Sequence, residues 1–444
     1  MPWPIAAMLG LLFLSGGLTV LFGISWAAKK SRREAQARAQ NPSSPWLWRA
    51  DWAENRSNSK TRSSMITAWI FAVFWNAIST GSIFAVPAGT YREKPLTWLI
   101  FLFPAVGLGL LIRAIRETVA WFEFGKTYFQ MTAVPIVAGR EMRGAIQARF
   151  PKPPEHGVRL KLSCVNRIVT NSGRDQTTSE NIIWRDEHTV SAAELYASPT
   201  GTTIPVTFHV PLDARPTDSS NPHNSIIWIL EADADVPGVD YKDVFELPVF
   251  HTKDSPAVPE ESERIERVAA PMAPTIRVTP TAEGTEFYFP AARNKSFAAG
   301  TSMFLVLWTG ALALVSHLHA PVIFPLVAGL FEVLIFYIAL QMWFGTSDVI
   351  VTRQGVRVRS GLFNTGKVQE IPVTQISEIK AVIRSQQGGA TGTPYYDILL
   401  VQNSGTNTTL GQTIRDKDEA EWLVAQIRAG LGLGNASRAA TAGR

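Results

Sequence analysis

Glu332 is the residue best placed to do chemistry, because it falls near the middle of a long apolar run, Val322 to Phe344. An ionisable group at that depth of a bilayer is costly unless it is paired or watered, so the carboxyl must face a helix bundle. Asn76, in a separate apolar run, is its candidate partner. Two uses remain open to the pair: an interhelical hydrogen bond with Glu332 protonated, or a path for a proton or cation. A second group, Arg357, Arg359 and Lys367, reads as one face of a strand and its neighbouring turn, able to attract anionic lipid headgroups. Asp348, Glu370 and Glu378 dilute that charge, and a solvated strand face accounts for the same residues.

A third group is Trp46, Trp48, Arg49, Asp51 and Trp52, three indoles in seven residues beside a basic segment. Amphipathic rings favour the headgroup layer, so the motif reads as an interfacial anchor. The alternative is a docking pair, Arg49 with Asp51, for another segment of the same chain. His317 and His319 form the close histidine pair of the sequence, but a transition metal needs more ligands and the turn holds no Cys, Asp or Glu. No metal is expected there. The single cysteine, Cys164, belongs to a core-facing alternation, and the chain lacks Gly-x-Ser-x-Gly or a phosphate-cradling loop. Neither a catalytic constellation nor a cofactor site can be assembled, and enzymatic activity is not the expected role.

The elements that must carry these groups are of two kinds. Five apolar stretches run from Ile5 to Ala27, Ser64 to Ala88, Leu96 to Ile112, Ser296 to Val315 and Val322 to Phe344. At roughly 20 residues per bilayer crossing they predict five membrane spans, one alone and then two hairpins. Residues 29–63 carry nine basic side chains against three acidic ones, which marks that loop as cytoplasmic. With no Lys or Arg before Ile5, a cleaved leader lacks its basic segment, and the N-terminus is expected outside. Counting across, Tyr91 to Pro95 and His317 to Pro321 become outer turns. All soluble mass then faces the cytoplasm of a bacterial inner membrane, in keeping with a lone thiol. With 42 basic and 37 acidic residues in 444, the balance is too even to imply nucleic acid as a partner.

Between the hairpins the hydrophobic period changes to two. Leu160, Leu162 and Cys164 alternate with Lys161 and Ser163, and Ile204, Val206 and Phe208 alternate with Pro205 and Thr207. Further strands are expected at Phe124 to Thr132, Gly144 to Phe150, Ile226 to Ala232 and Val244 to Phe250, and the spacing predicts a β-sandwich over residues 118–252. Residues 253–292 read as a linker with one late strand at Thr285 to Phe289. After the last span, strands and one amphipathic helix, Lys417 to Leu431, predict a small β-barrel over residues 346–431, and residues 432–444 read as a disordered tail. Residues 1–28, 64–113 and 296–345 complete the division as span and hairpins.

The order Phe124-Gly125-Lys126, Pro135, Gly139, Gly144, Ile204-Pro205-Val206, Trp228 and Pro237-Gly238-Val239-Asp240-Tyr241 resembles the immunoglobulin-like, arrestin-type sandwich of certain bacterial multipass membrane proteins. Gly355-Val356-Arg357-Val358-Arg359-Ser360-Gly361-Leu362-Phe363 with Ile371-Pro372-Val373 is similar to the bacterial pleckstrin-homology-like domain. These resemblances imply folds and leave the ligand open. The expected role is a membrane-anchored scaffold acting by binding, with the bilayer, a protein of unidentified kind and anionic lipid as partners. The alternatives are an ion- or proton-coupled transport component using Glu332, and a membrane-bound enzyme whose site the sequence does not mark.

Overall fold

The computed structural model describes residues 25, 28–29, 31–85, 101–150, 154–172, 175–198, 201–256, 275–317, 321 and 323–433. The chain divides into two units, Met1–Glu180 with Trp184–Arg264, and Asn181–Ile183 with Ile265–Arg444.

In the first unit residues 31–40 are helical, followed by a 3-10 turn at Pro45–Leu47, α1 (Ala50–Ala53), β1 (Arg56–Asn58), α2 (Thr61–Ala85) and α3 (Leu102–Phe124). Then come β2 (Tyr128–Met131), β3 (Ile136–Val137), β4 (Glu141–Ala148), β5 (Val158–Ser172), β6 (Asp175–Val190), β7 (Tyr196–Ser198), β8 (Gly201–His209), β9 (Asp218–Asn221), β10 (Asn224–Ala234), β11 (Tyr241–Leu247) and β12 (Val249–Phe250). Two sheets form, ordered β1-β2-β4-β8-β7 and β11-β10-β5-β6, with β9 paired to β10 and a short parallel β3–β12 ladder. The expected sandwich-like, β-rich architecture is present. Inward residues of β8 alternate with outward ones, and Leu160, Leu162, Val206, Phe208 and Trp228 are all at most 2% exposed, in one core with Phe129 and Phe245. Strands β5 and β10 run longer than the sequence pattern suggested, β2 is shorter, and the long β6 was not anticipated at all.

The second unit holds β13 (Arg277–Pro280), β14 (Thr285–Phe289), α4 (Lys295–His317), α5 (Ile323–Phe344), β15 (Gly345–Thr352), β16 (Gly355–Leu362), β17 (Val368–Pro372), β18 (Ile376–Gln387), β19 (Thr393–Gln402), β20 (Asn407–Ile414) and α6 (Lys417–Gly430). Its sheets are ordered β13-β14-β15-β16-β17 and β18-β19-β20. Strands β14 and β15 are hydrogen-bonded neighbours, with Phe289 opposite Ser347, so the α4–α5 hairpin is inserted between adjacent strands of one sheet. Helix α6 starts at Asp416, whose side chain accepts from the Asp418 N–H, and it buries Ala420, Leu423, Val424 and Ile427.

Five membrane spans are not supported. Among the described residues two helices are long and apolar enough to cross a membrane, over Lys295–Leu314 and Pro325–Phe344, with mean hydropathy 1.7 and 1.9. The physical reasons lie in the other two hairpin helices. Helix α3 continues past Ile112 to Phe124 through Arg113, Arg116, Glu117 and Glu123, and the expected second span ends at Ala88, beyond the described part of α2. The apolar stretch from Ile5 to Ala27 lies outside the described residues apart from Ser25. So do the turn from Tyr91 to Pro95, His319, residues 257–274 of the linker and nearly all of the tail.

Candidate functional site

The tryptophan motif joins the first unit's core. Strand β1 pairs with β2, which brings the preceding turn against β11. Trp52 is 5% exposed and its indole N–H donates to the Glu246 carbonyl at 3.0 Å. Arg49 stacks over the Trp52 ring at 4.2 Å, with one guanidinium nitrogen 2.9 Å from Asp51 and another 2.9 Å from Glu246. Lys60 reaches the second Glu246 oxygen at 3.2 Å. Burial alone would raise the Glu246 carboxyl, but Arg49 and Lys60 outweigh it and hold the group below the usual carboxylate range. Trp46 packs on Phe250 with ring centroids 5.4 Å apart, and Trp48 donates to the Asn41 carbonyl at 2.8 Å.

Three residues from Glu246 and on the opposite face of β11, Asp243 accepts from the hydroxyls of Ser59, Thr61 and Thr127. Burial raises this carboxyl, against the lowering effect of those donors. The cluster fixes the start of α2 to the sandwich. Sequence reasoning missed it, since its members are hydroxyls scattered over nearly 200 positions.

Glu332 finds its partner inside its own hairpin, where the Thr309 hydroxyl donates to its carboxylate. A groove of about 520 Å³ beside it is lined by Leu305, Val306, Gly329, Val333 and Phe336. Asn76 is engaged elsewhere: its amide donates to Ala72 at 2.8 Å and to the Gly107 carbonyl of α3 at 2.9 Å. A Cβ at Gly107 would lie 2.5 Å from the Asn76 side-chain oxygen, so the close crossing needs glycine. Within the first unit Asn76 is thus held by α3, and within the second Glu332 is held by Thr309.

Of the basic strand group, Arg357 is spent on acids, 2.8 Å from Glu370 across the ladder and 3.1 Å from Glu283. Arg359 and Lys367 are exposed. His317 ends α4, and among the described residues no group of three or more His, Cys, Asp or Glu is arranged to hold a metal. Burial pushes the Cys164 thiol up to about 12, against a small opposing effect of Arg215, which leaves it inert as a nucleophile. A second buried ion pair that the sequence did not announce joins Arg185 and Glu231 at 3.2 Å, 4% and 0% exposed.

No protein-family model matches this chain, and no curated protein matches it. Among solved structures, the sporulation control protein Spo0M from Bacillus subtilis is similar over 55% of this chain and 88% of its own, at 12% identity and a TM-score of 0.21. A superposition that loose carries no argument about function.

Proposed function

We propose that this chain is a bilayer-anchored scaffold that acts by binding, held by the α4–α5 hairpin, with its β-sheet units on the cytoplasmic side of a bacterial inner membrane. The observation that carries the reading is the hairpin's surface. Its two apolar windows are only 6% and 11% buried within the protein, and Leu330 and Val333 are 68% and 67% exposed. Apolar surface of that extent is stable in lipid and not in water. Arg293 precedes α4 and Lys295 begins it, and the excess of basic residues in 29–63 supports the cytoplasmic side. The arrestin-type and pleckstrin-homology-like resemblances favour modules that bind, and the exposed Arg359 and Lys367 favour anionic lipid beside an unidentified protein partner.

The test is extraction at alkaline pH. The full chain should stay with the membrane pellet, and a Leu330→Lys, Val333→Lys double variant should be released. A wild-type chain found in the supernatant would overturn the anchor. A second reading, ion or proton coupling, rests on the Glu332–Thr309 contact beside its groove, and Glu332→Gln separates it from the first.

A further inference from the structure

In the second unit a cavity of about 550 Å³ lies where the helical hairpin meets the strands, within the size range of small-molecule sites. Its walls differ in character. Phe297, Ile338 and Met342 of the hairpin supply an apolar side, and Arg293, Ser347 and Gln412 supply a polar one.

Arg293 is the informative member. Its guanidinium carbon lies 5.6 Å from the centroid of the Phe289 ring, and its Nη1 is buried with no hydrogen-bond partner among the described residues. Burial lowers its pKa to about 10, against Asp397, Glu419 and Tyr288, which raise it, so the group stays protonated at neutral pH. The acidic groups that face it each accept from the backbone on one oxygen. The Thr413 N–H donates to Asp397 Oδ1 at 2.9 Å, and the N–H groups of Thr275 and Ile276 donate to Glu419 Oε1 at 2.5 and 3.0 Å. A buried charged donor left open is unfavourable in itself, so its retention asks for an acceptor from outside the chain.

The surrounding backbone is also constrained. Ala292 and Thr413, both on the cavity wall, hold left-handed conformations at φ 52° and 54°, which residues with a Cβ avoid. Asn294 fastens the two segments by donating to the Thr413 carbonyl at 2.6 Å. Strain of this kind persists where the surroundings over-determine a geometry, and here it brackets the open guanidinium.

We infer that this cavity is a phosphate-ester site in which Arg293 donates to the phosphate of a membrane-lipid headgroup while Phe297, Ile338 and Met342 cover the first carbons of the acyl chains. The cavity sits at the end of the hairpin where the apolar windows stop, Lys295 beginning one and Phe344 ending the other, which is headgroup depth. Guanidinium is the side chain suited to phosphate. Free phosphate has the same chemistry without the carbons. The lipid as source rests on the membrane reading above.

The experiment uses the full chain purified in dodecyl maltoside and titrated calorimetrically with dioctanoyl phosphatidic acid, dioctanoylglycerol and inorganic phosphate. Phosphatidic acid should bind, with dioctanoylglycerol and inorganic phosphate each about tenfold weaker or more. Arg293→Met should lose about tenfold in phosphatidic acid affinity, the size of one charge-assisted hydrogen bond. Gln412→Glu, at an exposed position of the wall where folding is not at stake, should lose a similar factor by repulsion. Binding unchanged in Gln412→Glu and in a folded Arg293→Met, or no binding of phosphatidic acid at all, would overturn the site. Inorganic phosphate binding as tightly as the lipid would overturn the lipid as its source. Alkaline extraction of the same proteins keeps the two failures apart. A chain retained in the membrane with Arg293-independent binding refutes this inference alone, whereas a released wild-type chain refutes the anchor.

Discussion

Arg49 and Arg293 occupy comparable places, each a half-buried guanidinium against an aromatic ring where a helical segment meets a sheet. Arg49 is closed on both sides by Asp51 and Glu246, whereas Arg293 keeps a buried nitrogen open. A closed guanidinium works as a fastener, because its removal strands Asp51 and leaves Glu246 to Lys60 alone. An open one adds nothing to the free fold and is suited to an incoming anion. The difference between the regions is thus one of satisfaction and not of burial.

The comparison breaks hardest at Trp52. Trp52→Ala should lower the first unit's stability by about 3–5 kcal/mol, the usual effect of emptying a buried aromatic site, while Trp46→Ala, half-buried against Phe250, should cost about 1 kcal/mol. Thermal unfolding of the two variants reads the gap, and equal effects would return the motif to the membrane surface. Next in size, Arg49→Met should destabilise by somewhat less than the roughly 3–5 kcal/mol of a fully buried pair, since its partners retain some solvent. Arg293→Met should be neutral or slightly stabilising without ligand, so the signs of the two substitutions differ. Matching losses would erase the contrast.

Acid titration sharpens it further. Glu246 is held below its unfolded value of about 4.3, so its contribution is present above that pH and lost as pH falls through the folded value. Asp243 is raised by burial, so its contribution is present below its unfolded value of about 3.9 and lost as pH rises through the folded one. Glu246→Gln should therefore flatten the loss of stability on acidification, and Asp243→Asn should steepen it. The smallest effect belongs to Glu332→Gln, which preserves an acceptor for Thr309 and should leave membrane insertion and any deletion-strain phenotype at wild-type level. A normally inserted but inactive Gln variant would favour ion coupling.

Period-two patterns were legible wherever one face of a strand is buried and the other wet, as at Leu160 to Cys164 and Ile204 to Phe208. The same rule hid β6, Asp175–Val190, an edge strand of its sheet whose inward positions include the buried Arg185. Arg113 and Arg116 end the apolar run of α3 in the sequence, although helical backbone tolerates charge wherever water reaches it. The indole cluster was read as interfacial from local composition. Its acceptor, the Glu246 carbonyl, lies 194 positions away, a distance no local window spans. In the sequence Arg293 is only a basic residue beside an apolar run, since an unpaired atom is defined by neighbours the sequence does not rank.

The insertion of the α4–α5 hairpin between β14 and β15 sets an order of events during synthesis. When β14 leaves the ribosome its partner is still more than 50 residues from being made, and every residue between them belongs to the apolar helices or their connections. On the proposed anchoring, the β13–β14 ribbon waits with an unpaired edge until the hairpin has been inserted and has returned the chain to the same side. Completion of the sheet then reports that insertion succeeded. A chain whose helices fail to turn back would display an open strand edge, the kind of surface that quality-control proteases and aggregating neighbours recognise.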